Sequence, residues 1–74
     1  MLEKIKENLE FEEYMVEEGE NNVRELLEQL KKGVTEVGAK NICDRLVSEK
    51  ELLEKHRYTA GVLRRLVRNA EKEA

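Results

Sequence analysis

An all-α antiparallel helical hairpin is the fold this sequence predicts, and three observations predict it. Apolar residues recur in alternating steps of three and four along two stretches, proline is absent, and two glycines separate the stretches. The first stripe is Leu2, Ile5, Leu9, Glu12, Val16, Gly19, Val23, Leu26, Leu30 and Gly33. The second is Ala39, Ile42, Leu46, Glu49, Leu53, His56, Ala60, Leu63, Val67 and Ala70. Folding the chain about residue 36 sets Leu2 against Ala70, Ile5 against Val67, Leu9 against Leu63, Leu26 against Leu46 and Leu30 against Ile42. Each a position then meets a d position, as antiparallel helices require.

The pattern assigns a first arm to residues 2–32, a connection to 33–38 and a second arm to 39–72, all within one domain. Gly33 is placed to stop the first helix in the left-handed conformation, and Thr35 to cap the second. Each arm also carries local break signals. Gly19 followed by Asn21, Asn22 and Glu25 reads as a stop and a new start. Ser48-Glu49-Lys50-Glu51 reads as a capping box, with Val47 and Leu52 as its hydrophobic staple. A weaker break lies at Tyr58-Thr59-Ala60-Gly61. The heptad phase runs through all three, which favours continuous or kinked arms over four short helices.

Seventy-four residues make a small core, and each ordered residue costs about 1.5 kcal/mol in conformational entropy. The usual staples for a chain this short are missing from the composition. Cys43 is the sole cysteine and His56 the sole histidine, which is too few for a disulfide or a closed zinc site. Self-association or a partner is the remaining source of buried surface. Apolar residues outside the stripes point the same way: Phe11, Met15, Leu27 and Val34 on the first arm, and Val47, Leu52, Val62 and Leu66 on the second. Bundle helices need such broad apolar faces when they touch two neighbours. The expectation is therefore a homodimer forming a four-helix bundle, acting as a non-enzymatic adaptor or regulator, with a further protein partner. Tyr14, Phe11 and Met15 cluster on the outer side of the first arm and serve either packing or partner binding. Cys43, also on a flank, is expected to be a small buried hydrophobe.

Charge is divided along the chain. Residues 1–20 carry eight glutamates against Lys4 and Lys6, a net −6, while residues 55–74 carry a net +4. Folding lays the acidic quarter beside the basic one, so these charges fix register and direction. A second reading treats Arg57, Arg64, Arg65, Arg68 and Lys72 as a phosphate-contacting row on the last helix. The overall charge of −3 and the lack of an aromatic platform weigh against it. Residues 44–50 with 54–57 faintly resemble helix-turn-helix domains of the LuxR type, which would imply DNA binding. The match covers little of the chain, and its spacing departs by a residue on each side of the turn. A third reading takes the acidic row Glu3, Glu7, Glu10, Glu13, Glu17 and Glu20 as a mimic of DNA phosphates.

Polar residues at stripe positions invite a chemical reading. His56 as general base, oriented by Glu12 or Glu13, lacks a nucleophile and a phosphate-cradling glycine loop. Glu12, Glu49 and His56 are better read as register-setting polar residues, with Glu49 a helix cap outside the core. No catalytic residue, cofactor or metal is expected. The lone thiol and the absence of a leader or a membrane-length apolar run lead to an expected cytoplasmic location, with no membrane contact.

Overall fold

A computed structural model describes residues 1–73, which form two helices: α1 (Leu2–Lys31) and α2 (Glu36–Glu73). They pack against each other along their length as an antiparallel hairpin. At 1.5 Å per residue the 38 residues of α2 span about 57 Å. The molecule itself measures 57 × 15 × 15 Å. Each arm therefore runs as a single helix, and the break signals at Gly19–Asn22, Ser48–Glu51 and Tyr58–Gly61 are overridden. Burial of the continuous stripe outweighs these local preferences. The same continuity removes the helix-turn-helix resemblance, because residues 44–57 lie inside one unbroken helix.

Chain reversal takes place in four residues, 32–35, rather than across 33–38. Lys32 keeps a helical conformation and its N–H reaches the Glu28 carbonyl. Gly33 then takes φ +88°, a left-handed conformation that ends α1 and that a side chain would strain. Thr35 starts α2: its hydroxyl accepts from the Gly38 N–H at 3.1 Å, and its carbonyl from the Ala39 N–H at 2.8 Å. Gly38 thus belongs to the first turn of α2 and does not close the connection. A Cβ on Gly38 would sit 3.1 Å from the Thr35 hydroxyl, so the glycine keeps that cap unobstructed. Replacing Thr35 with Ala removes an acceptor for the orphan N–H groups. We expect a loss of about 1 kcal/mol in urea-induced unfolding; an unchanged midpoint would mean that water caps the helix equally well.

The core is thin. Leu26, Ile42, Leu53 and Ala60 are its buried apolar residues, joined by Gly19. Every other stripe position is half-buried except Gly33, which is exposed in the connection. Gly19 lies opposite Leu53, as folding about residue 36 requires, and a Cβ built on it would be 3.1 Å from Leu53 Cδ1. The helices approach closely at that level because one of them presents no side chain.

The shape has a measurable consequence. A compact chain of this length would have a radius of gyration of about 11 Å, whereas this one has 16.7 Å. Its accessible surface is 5960 Å². A typical compact monomer of 8.7 kDa exposes about 4,700 Å². The hairpin leaves on the order of 1,200 Å² more surface in water than a globule of equal mass.

Candidate functional site

An antiparallel pair of helices makes a ribbon with two broad faces, and here the two differ in chemistry. On one face the residues flanking the stripe are mostly charged, and two ion pairs cross between the helices. Lys6, Glu13, Glu20 and Leu27 step by seven along α1, opposite Glu71, Arg64, Arg57 and Lys50 stepping back by seven along α2. Lys6 Nζ lies 3.8 Å from Glu71 Oε2. Arg64 donates through Nε and Nη2 to Glu13 Oε2, both at 3.3 Å. Glu20 and Arg57 border the same groove as Val23, Leu27, Lys50 and Leu53. We call this the ladder face. Each exposed pair contributes about 0–1 kcal/mol, so the row mainly selects register and antiparallel direction.

The opposite face is less charged. Met15, Glu18, Gly19, Asn22, Glu49, Leu52, Leu53 and His56 surround one small depression there. Phe11 stands one helical turn from Met15, Leu66 two heptads beyond Leu52, and Val62 one turn before Leu66, which places all three on this side. Phe11 is 57%, Leu52 51% and Leu66 46% exposed, while Met15 and Val62 are half-buried. Together these side chains form an apolar strip along the free-end half of the hairpin, about 21 Å long from Leu52 to Leu66 at 1.5 Å per residue.

The structure thus divides the residues singled out as interface candidates. Phe11, Met15, Leu52, Val62 and Leu66 share the apolar face. Leu27 borders the ladder-face groove, and Val47 lies one turn from Lys50 and one heptad from Glu54 on that same side. Val34 sits in the connection, beside Gly38. Cys43 is exposed rather than buried. It lies one heptad before Lys50, on a flank that two helices alone do not cover. Tyr14 and Tyr58 are exposed on the outer surfaces.

Two polar contacts cross the hairpin beneath the apolar face. His56 Nδ1 and Glu12 Oε2 are 2.5 Å apart, both side chains largely shielded from water. Asn22 Nδ2 donates to Glu49 Oε2 at 3.4 Å. Glu49 is therefore a half-buried cross-hairpin acceptor, not a cap outside the core. Heptad spacing puts Glu12, Glu49 and His56 at stripe positions and Asn22 on the flank, and the structure turns the partners toward each other. A hydrogen-bonded pair at one level of a helical interface favours one register over its slipped alternatives.

The basic residues are also divided. Arg64 bonds to Glu13 and Arg57 borders the groove that Glu20 lines, whereas Arg65, Arg68 and Lys72 remain exposed. Compared with protein-family models, curated proteins and solved structures, the chain matches none. Among the described residues no group of three or more His, Cys, Asp or Glu side chains comes together as a metal cage. No helix among them is long and apolar enough to cross a membrane. The depression that His56 and Glu49 line offers about 60 Å³, room for a couple of water molecules rather than a substrate.

Proposed function

We propose that the protein is a non-enzymatic helical interaction module, a small cytoplasmic adaptor or regulator that works as a homodimer and binds another protein. The observation that carries this reading is the apolar strip on one face of a hairpin with so small a core. Scattered apolar residues on a surface need no explanation, but several gathered on one face beside half-buried stripe residues mark an interaction surface. Pairing of two hairpins supplies the second layer that a ribbon of two helices lacks.

The nucleic-acid reading is weakened by the same geometry, since Arg64 already holds Glu13 and Arg57 borders Glu20. Arg65, Arg68 and Lys72 make a short exposed row on a chain of net charge −3. The mimicry reading of the acidic row is weakened too, because Glu13 is engaged within the hairpin.

Light scattering after size exclusion, at low and high salt with absorbance at 260 and 280 nm, tests the proposal. The expected result is a species of twice 8.7 kDa, stable to salt and free of nucleic acid. A species carrying 260-nm absorbance that high salt strips away would overturn it in favour of phosphate binding. Charge reversal at Arg64 and Arg68 adds a second arm. Loss of helical stability supports the register role, and loss of nucleic-acid binding with the fold intact supports the other.

A further inference from the structure

We infer that the apolar face is where a second copy of this chain docks, with the two-fold axis parallel to the hairpin's length so that α1 lies over the partner's α2. The inference rests on the interaction reading above and deepens it, by assigning the face, the occupant and the register. Three observations carry it.

The first is the contrast between faces. Docking through the ladder face would bury Lys6, Glu13, Glu20, Arg57, Arg64 and Glu71, each charge losing water. Docking through the apolar face covers Phe11, Met15, Leu52, Val62 and Leu66, with Glu18 and Lys55 in its outer rows.

The second is self-complementarity. With the two hairpins stacked at equal height and α1 antiparallel to the partner's α2, the outer rows of this face meet level by level. Phe11 falls opposite Val62 of the partner subunit, and Glu18 opposite Lys55 of the partner subunit. Closer to the connection, Glu25 falls opposite Ser48 of the partner subunit. Phe11 meets an apolar residue and Glu18 a base, and the two-fold repeats each match on the other side. The arrangement reproduces between chains the antiparallel pairing that the ladder provides within one.

The third is area. A specific dimer buries about 800 Å² per partner, within the roughly 1,200 Å² by which this hairpin exceeds a compact monomer. Both polar crossings, Glu12 with His56 and Asn22 with Glu49, lie on the covered side. They enter the dimer already paired with each other, so the bonded atoms keep a partner when covered.

The experiment combines mass and cross-linking. Leu52→Glu with Leu66→Glu should keep the helical circular dichroism, because both side chains are exposed in the single hairpin. It should also raise the dimer dissociation constant by on the order of 30-fold or more. Leu27→Glu, on the ladder face, should leave the dimer intact. For register, two single-cysteine chains in a Cys43→Ser background, one with Glu18→Cys and the other with Lys55→Cys, are mixed and treated with a short bis-maleimide. Mixed cross-linked dimer is the expected product. Efficient linking of Phe11→Cys chains to themselves would overturn the parallel axis, since it needs α1 over α1. A dimer that survives the Leu52 and Leu66 changes but is lost with Leu27→Glu would overturn the face and leave the interaction reading standing. A monomer at every concentration would overturn the homodimer in both.

Discussion

Leu53→Ala should unfold this protein or bring it close to unfolding. Leu53 is 6% exposed and borders the grooves on both faces of the ribbon. Opposite it stands Gly19, which has no side chain to fill a gap. Truncation therefore removes the one group that separates the two grooves, and it opens the middle of the hairpin to water from both sides. Burying less at this level loses the transfer energy of the removed methyl groups, and the neighbouring backbone cannot collapse inward without bending both helices. Leu→Ala in a core costs about 2–5 kcal/mol. A chain of this size holds about 3–5 kcal/mol in total from a single core. The expected melt, followed at 222 nm, is shifted down by at least 10 °C at about 4–8 °C per kcal/mol, or is no longer cooperative. A shift of under about 3 °C would sink the idea that this level holds the arms together. Supplying the volume from the other side, as Gly19→Leu in the Leu53→Ala background, should recover part of the loss, as volume-conserving exchanges in cores do.

That pairing was legible before any coordinates, whereas the chemistry of the two faces was not. Gly19 and Leu53 are matched by a fold about residue 36, because alternating steps of three and four specify both the helix and its seam. Thr35 and Gly33 were legible for the same reason, since each satisfies a need of a helix end. Local signals misled where a global term outweighed them. Asn22 and Glu25 resemble a helix start, yet the Asn22 side chain spends its donor on Glu49 across the hairpin. Gly38 resembles a loop residue, yet it makes the first turn that the Thr35 hydroxyl caps. The net charge of each end of the chain carries direction but not sidedness. Stepping by seven from Lys6 and Glu71 would have exposed the ladder, and with it the apolar face opposite. Cys43 was read as buried because it neighbours the stripe; two helices shield the stripe and leave the next row to water.

Replacing Glu12 or His56 alone should destabilise the hairpin, while replacing both with leucine should not. The two side chains meet at 2.5 Å at stripe positions and are mostly shielded from solvent. Glu12→Leu leaves the imidazole without its acceptor, and His56→Leu leaves a carboxylate against apolar neighbours. Each orphaned group then carries a desolvation cost of about 1–3 kcal/mol. With both replaced, no polar group is stranded, and the level becomes an apolar layer like the others in the stripe. Exchanging a shielded polar pair for packed hydrophobes is commonly neutral or stabilising, by about 1–4 kcal/mol where the pair is ionic. The double variant should therefore equal or exceed the parent in stability, with a coupling energy between the sites of about 0.5–3 kcal/mol. Urea unfolding of the four proteins at one concentration measures the cycle. Additive effects within about 0.5 kcal/mol would show that the pair does not act as a unit. What the parent gains from a polar pair is selectivity. An apolar layer tolerates a slip of the arms or a change in how two copies meet, whereas an acceptor and an imidazole that must find each other do not. The leucine double variant should accordingly give more than one cross-linked species where the parent gives one. Higher stability with looser assembly is the outcome that assigns Glu12 and His56 to specificity.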